Sequence, residues 1–445
     1  MEHLKSTMTP LPRLRRLWRS LALLACCLGA LLPLGACNSP LEETVVEFWT
    51  LGSEGEAVRT LLPKFERTHP SIRIKLQQIP WIAAHEKLLT AYAGDALPDL
   101  LQLGNTWIPE FAMLGAIGAL DTRISTSLVI HKEDYFPGIL ATNDQGGHLY
   151  GLPWYVDTRL LFYRKDILAQ AGFAAPPTSW SGWLDAMRKI RELSGGRRYA
   201  ILLPINEWEA PTLLAMQLGA DLLRDDARYG HFQGEEFRRA FAFCLGLYRE
   251  RLAPALATTQ LSNLYRDFGQ GQFAMYITGP WNLGEFSRRL PESLQDVWTT
   301  APLPAPDGVA PPGGSLAGGS SLAIAVDSTH QTSAWKLLEF LSTPEQQAAL
   351  YRLSGDLPAR RSAYADPALA SDPRLQAFLA QLERAVASPA IPEWERIAAK
   401  LGYYLEKVVR GSVSEDTALA LLDGEVDAIL EKRRWLLAKQ TEAGP

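Results

Sequence analysis

The sequence predicts an α/β fold arranged as two lobes. Three observations lead there. The chain has 445 residues, too many for one hydrophobic core. Its composition is that of a folded globular protein, 47% apolar and 21% charged. Strand-like and helix-like segments alternate through two successive blocks, the pattern of parallel or mixed sheets covered by helices.

The first block begins with Thr-Val-Val-Glu-Phe-Trp-Thr (44–50), β-branched and aromatic enough for a strand. A helix follows, with Ala57, Leu61 and Phe65 four apart on one face. In Ile-Arg-Ile-Lys-Leu-Gln-Gln-Ile, alternating Ile72, Ile74 and Leu76 predict a second strand. Further alternation predicts a helix near 82–93, a strand at 98–104 and a helix across Pro109–Leu120. The second block opens at 149–168, where two extended stretches flank Pro153 and lead into a helix. Helices at 180–194, 211–223 and 235–252 alternate with strands at 199–205 and 272–278. Residues 302–314 hold five prolines and three glycines, a composition for a loop or strand crossover. After it the pattern predicts a strand at 320–326 and helices at 332–342, 344–353, 374–386, 394–410 and 415–438.

A net charge of -5 argues against nucleic acid as the main partner, because phosphate binding needs a basic surface. The seven histidines lack metal-ligand spacing and HExxH is absent. So are the phosphate-binding glycine loops and the GxSxG elbow, which leaves no expected metal or cofactor. Ser333-Ala334-Trp335-Lys336 matches SxxK but sits at an expected helix start, where Ser333 and Thr332 serve equally well as caps. Glu54, Glu56, Asp157, Glu207 and Glu209 are candidates for the carboxylate pair of a glycosidase, the enzyme alternative. Carboxylates also hydrogen-bond sugar hydroxyls without chemistry.

The N-terminus gives an address. Lys5, Arg13, Arg15, Arg16 and Arg19 precede an apolar run at 21–36, too short to span a membrane, so residues 1–36 read as a signal peptide. Leu34-Gly35-Ala36-Cys37 resembles the bacterial lipobox. This implies lipidation of Cys37, a tether at 37–42, and an extracytoplasmic protein on the periplasmic face of the envelope, held to the membrane by lipid alone. Cys244, in an amphipathic helix, is expected as a small buried hydrophobe, leaving no disulfide in the mature chain.

Several segments together resemble family 1 of the bacterial extracellular solute-binding proteins, the maltose- and trehalose-type group. They are residues 98–121, 149–168 (Leu-Tyr-Gly-Leu-Pro-Trp-Tyr-Val-Asp-Thr-Arg onward), 268–286 with Gly-Pro-Trp-Asn, the glycine-rich 313–326, 335–347 and 356–366. The resemblance implies a two-lobe periplasmic-binding-protein-like fold of type II, with the ligand cleft between lobes joined by hinge strands. Lobe one would be 43–153 with 308–365, and lobe two 154–307 with 366–445. It further implies a monomeric, non-enzymatic substrate-binding component that captures a disaccharide or oligosaccharide such as maltose or trehalose. Two permease subunits and a cytoplasmic ATPase would be its ABC-importer partners. A polyol or glycerol phosphate is the alternative solute.

A sugar presents apolar faces and a rim of hydroxyls, so its site needs aromatic platforms and multidentate polar groups. Trp281 follows a strand directly and matches the family's stacking tryptophan; core packing is its other possible role. Asp157 and Arg159 fall in the expected hinge, serving ligand or each other. Trp49 and Glu54 lie on and after the first strand, beside Gly52 and Gly55, with helix capping the other role for Glu54. Asn105 and Trp107 follow the strand at 98–104, and Asn206, Glu207 and Trp208 follow that at 199–205. Gly318, Gly319 and Ser320 offer backbone amides, or flexibility at a lobe crossing. Arg360 matches a ligand-contacting arginine in some members, although Arg361 stands beside it. Trp394 would cap the cleft or pack in the core, whereas Trp180, Trp183, Trp335 and Trp435 belong to helices as packing residues.

Overall fold

The computed structural model describes residues 43–443. The expected leader, the lipidation site Cys37 and the tether at 37–42 lie outside the described residues. From Val45 onward the chain forms one unit built on two main sheets, with shorter ribbons beside them.

The principal elements, in chain order, are β1 (Thr44–Leu51), α1 (Glu54–Thr68), β2 (Ile72–Ile79), α2 (Trp81–Ala93), β3 (Leu100–Gly104), β4 (Leu152–Asp157) and β5 (Leu160–Arg164). Next come α3 (Trp180–Leu193), β6 (Tyr199–Leu202), α4 (Glu209–Gln217), α5 (Glu235–Arg249), β7 (Phe273–Thr278), α6 (Trp281–Arg289) and β8 (Trp298–Ala301). The rest are β9 (Ser315–Ile324), α7 (Gln331–Leu341), α8 (Pro344–Ser354), β10 (Leu357–Pro358), α9 (Pro373–Leu382), β11 (Ala385–Ala387), α10 (Trp394–Val409), α11 (Glu415–Ile429) and α12 (Glu431–Ala443).

The first sheet runs β10-β4-β9-β3-β1-β2, with β11 also pairing with β9. β1 and β3 are parallel, and β9 lies antiparallel to both β3 and β4. Both faces are buried, as side-chain alternation requires of a covered sheet. Val46 and Phe48 enter one core cluster with Phe65 of α1, while Trp49 and Leu51 enter another with Ala84 and Leu88 of α2.

The second sheet runs β8-β5-β7-β6, with β6 and β7 parallel. The chain passes from first sheet to second at 157–160 and returns between Ala301 and Ser315. These passages are bonded to one another: Thr158 Oγ1 donates to the Leu316 carbonyl at 2.8 Å, and Ser315 Oγ to that of Arg159 at 2.7 Å.

Several predicted elements change. The helix expected across Pro109–Leu120 stops at Met113, because Gly115 takes a left-handed φ of 72°. The strand predicted at 320–326 occupies 315–324, since the glycines continue the ladder. The helix predicted at 415–438 divides at Leu430, a fully buried residue that ends α11. Ala385 and Val386, predicted as the end of a helix, belong to the strand β11 beside β9. Cys244 is fully buried in α5, and burial pushes its thiol up to about 12.

Candidate functional site

A cavity of about 580 Å³ opens where the parallel strand pairs of both sheets end. That volume falls within the ~300–1,000 Å³ usual for ligand sites. The chain leaving β1 supplies Ser53 and Glu54, the turn after β3 supplies Gly104 to Trp107, and β4 supplies Tyr155 to Asp157. From the second sheet come Trp208 and Glu209 after β6, and Pro280 and Trp281 after β7. Carboxyl ends of strands are where an open α/β sheet leaves backbone and side chains free to meet a ligand.

Four indoles face the cavity: Trp81, Trp107, Trp208 and Trp281. Trp81 packs edge-on against Trp107, ring centroids 5.4 Å apart. Trp208 is steadied in the same way by the fully buried Trp394, at 5.5 Å. Trp281 lies under the Arg159 guanidinium, 4.6 Å from its centroid, and remains 41% exposed. Close approach of Trp81 depends on Gly52, whose φ is 59° and where a Cβ would stand 2.3 Å from the indole.

The polar groups form two clusters. Arg159 donates to Asp157 at 3.0 Å and to Glu209 at 2.9 Å, with about a fifth of each side chain open to the cleft (19%, 24% and 19%). Burial holds the Asp157 carboxyl above the ordinary aspartate range, against the pull of Arg159. In the second cluster Glu54 Oε1 accepts from the Tyr155 hydroxyl at 2.7 Å and from Trp81 Nε1 at 3.3 Å. Burial raises Glu54 despite these donors. Asp356, beside it, is pushed up to about 7 by burial and then by the charge of Glu54. Three buried polar atoms here lack partners: Glu54 Oε2, Asp356 Oδ2 and Asn105 Nδ2. Such atoms are costly to leave unmatched, so they are open to a polar ligand in the cavity.

Of the sequence-predicted residues, Glu54, Asn105, Trp107, Asp157, Arg159, Trp208, Trp281 and Gly319 line this cavity, as does Gly318. Five others do not. Trp49 points to the α2 side of the first sheet and packs beneath Lys87. The Asn206 amide bonds Thr258 through both its oxygen and its nitrogen, at 2.9 Å each. Ser320 is fully buried and donates to the Leu103 carbonyl at 2.8 Å. Glu207 lies outside the lining, its carboxyl pushed up to about 7 by burial and by neighbouring Glu209.

Arg360 corrects its expectation most clearly. It is 4% exposed and donates to Asp134 at 2.7 Å and to the carbonyls of Val129 and Ser342 at 2.9 and 3.1 Å. No donor of its guanidinium is turned toward the cleft in those bonds. Trp394 likewise supports Trp208 from behind instead of capping the cleft.

The sequence reasoning missed Trp81, Tyr155, Glu285, Arg288 and Asp356 as lining residues. Trp81 was open to detection, since it follows β2 across Pro80 just as Trp107 follows β3. Asp356 gave no such signal, because it enters from the far end of α8. Glu285 pairs with Arg288 one turn along α6. Among the described residues no cluster of His, Cys, Asp and Glu is fit to hold a metal, and no helix is long and apolar enough to cross a membrane.

Comparison with known proteins agrees with this architecture. The sugar-binding protein MalE from Xanthomonas citri is 47% identical, with a TM-score of 0.85 over 89% of this chain and 99% of that one. The diacetylchitobiose binding protein DasA of Streptomyces coelicolor is 24% identical over 88% of this chain and 91% of its own length. UgpB from Mycobacterium tuberculosis, solved with glycerophosphocholine, shares the fold at 22% identity and a TM-score of 0.72, over 88% of this chain and 99% of that one. A model of the bacterial extracellular solute-binding proteins matches residues 60–377. The chain belongs to the bacterial extracellular solute-binding protein family, and as such is a binding protein, not an enzyme.

Proposed function

We propose that this protein captures a neutral sugar, a disaccharide or short oligosaccharide of the maltose or trehalose kind, and delivers it to an ABC importer. The observation that carries this reading is the cavity's lining of four indoles with interleaved carboxyl and guanidinium groups. Indole faces suit the C–H faces of pyranose rings, and the planar polar groups suit the hydroxyl rim. Five carboxyl groups (Glu54, Asp157, Glu209, Glu285 and Asp356) meet only two guanidinium groups (Arg159 and Arg288), a balance that disfavours a phosphate-bearing solute.

Lobe one is 43–153 with 308–365, lobe two is 154–307 with 366–445, and the paired passages at 157–160 and 301–315 are the hinge. Sugar that touches both walls binds the closed form better than the open one, and that difference drives closure. The closed form is presented to two permease subunits and their ATPase. The protein acts as a monomer on the periplasmic face of the envelope, anchored through lipidated Cys37.

Calorimetric titration of residues 38–445 with maltose, trehalose, sucrose, glucose and glycerol phosphate tests the reading. One intact sugar should bind, and Trp281→Ala should weaken it tenfold or more, a loss of ~1.4 kcal/mol per decade. Binding of glycerol phosphate alone, or silence with every sugar, would sink the sugar assignment.

A further inference from the structure

Glu54 and Asp356 reach the cleft from opposite directions. Glu54 heads α1, whereas Asp356 follows Gly355, the left-handed residue (φ 86°) that ends α8. Pairing of β10 with β4, Leu357 opposite Val156 and Pro358 opposite Tyr155, fixes Asp356 beside the strand that supplies the Tyr155 hydroxyl. Each carboxyl keeps one buried oxygen without a partner. Neither carboxyl makes an ion pair among the described side chains, because the surrounding charges are already engaged. Arg159 serves Asp157 and Glu209, Arg288 serves Glu285, and Arg352 of α8 serves Asp366. On α1 itself, Glu56 and Arg59 are exposed on the outer surface. Facing the pair are Tyr155, which donates to Glu54, and Asp157, whose negative charge opposes ionisation of Asp356. The carbonyl end of α8 opposes it too. Two neighbouring carboxyls without a cation do not both ionise cheaply.

We propose that Glu54 and Asp356 act as one ligand-reading unit that carries a single proton on one of its two unpartnered oxygens, so that the cleft floor offers a sugar both a donor and an acceptor. Asp356 thereby becomes a specificity-determining residue of the site. This rests on the sugar reading above. Once the pair has lost its proton it has no donor left for the sugar, since an ionised carboxylate accepts but does not donate. Binding therefore takes up proton as the pair empties, and affinity falls as pH rises. For one linked proton the limit is a tenfold loss of affinity per pH unit.

The test is calorimetry on the full-length protein with maltose, or whichever sugar of the panel binds, from about pH 6 to about pH 8.5 in two buffers of different ionisation enthalpy. Wild type should lose affinity about tenfold across that range and take up a fraction of a proton. Asp356→Asn, a fixed donor, should flatten the profile, while Glu207→Gln should keep the slope, separating the pair from the other buried carboxyl that titrates nearby. A flat wild-type profile, proton release on binding, or an Asp356→Asn variant that keeps the slope would overturn the proposal and leave the sugar reading standing. Should no sugar bind, infrared spectra of the unliganded protein at neutral pH still decide. A protonated-carboxyl band that weakens in Asp356→Asn supports the shared proton, and an unchanged band refutes it. Circular dichroism of each variant checks folding.

Discussion

Truncating Arg360 to alanine would strand the Asp134 carboxylate and the carbonyls of Val129 and Ser342 in an interior where the arginine is only 4% exposed. Breaking such a buried pair costs about 3–5 kcal/mol. Denaturant unfolding of Arg360→Ala should show that loss, and sugar affinity of the folded fraction should stay close to wild type. A large affinity loss with unchanged stability would return Arg360 to the ligand. At this scale sequence reasoning recovers residues placed by a strand end, such as Trp281, Trp107 and Glu54. It fails where role depends on which way a side chain turns. Trp49 and Glu54 are five residues apart, yet strand alternation sends Trp49 into the α2 core. Arg360 and Arg361 are adjacent, and only the fold assigns one to Asp134 and the other to Glu383.

Among the elements, β9 joins the most of the molecule, pairing with β3, β4 and β11. Its register with β4 shifts between Ser320 and Ser321, next to Gly319 at φ 119°. A Cβ at Gly319 would stand 2.3 Å from the Tyr155 carbonyl oxygen. Gly319→Ala should therefore lose more stability in chemical denaturation than the ~1–3 kcal/mol of backbone strain alone. Gly146→Ala is the control, with φ 64° and open space around it. Equal losses in the two variants would show that close packing at Gly319 matters little. Strand and helix identity was largely readable from periodicity because each apolar run keeps its side-chain period. Ends were less so: Gly115 and Leu430 stop helices whose apolar pattern continues past them.

At the scale of the molecule, the two sides of the cleft are already joined. Thr106, in the turn after β3, donates to Glu395 at the start of α10, a helix whose buried face packs with the second sheet. Removing that bond biases the lobes toward opening, and apparent affinity falls with the fraction of closing-competent protein. Glu395→Ala should weaken sugar binding several-fold and enlarge the radius of gyration of the unliganded protein in X-ray scattering. Unchanged scattering and affinity would remove this bond from the closing equilibrium. The two-lobe plan was readable from alternation and from the family resemblance, but this contact was not, since it links residues 289 positions apart.

The central position of β9 also governs the order in which the chain can assemble. All four strands of the second sheet lie within residues 160–301, a continuous stretch that can close on itself as soon as it exists. The first sheet has no such freedom, because β3 and β4 stay apart until residues 315–324 arrive between them. Pairings of such long sequence separation are slow to form. The N-terminal third of the chain, made first, must therefore wait in an unfinished state for a strand made long after it.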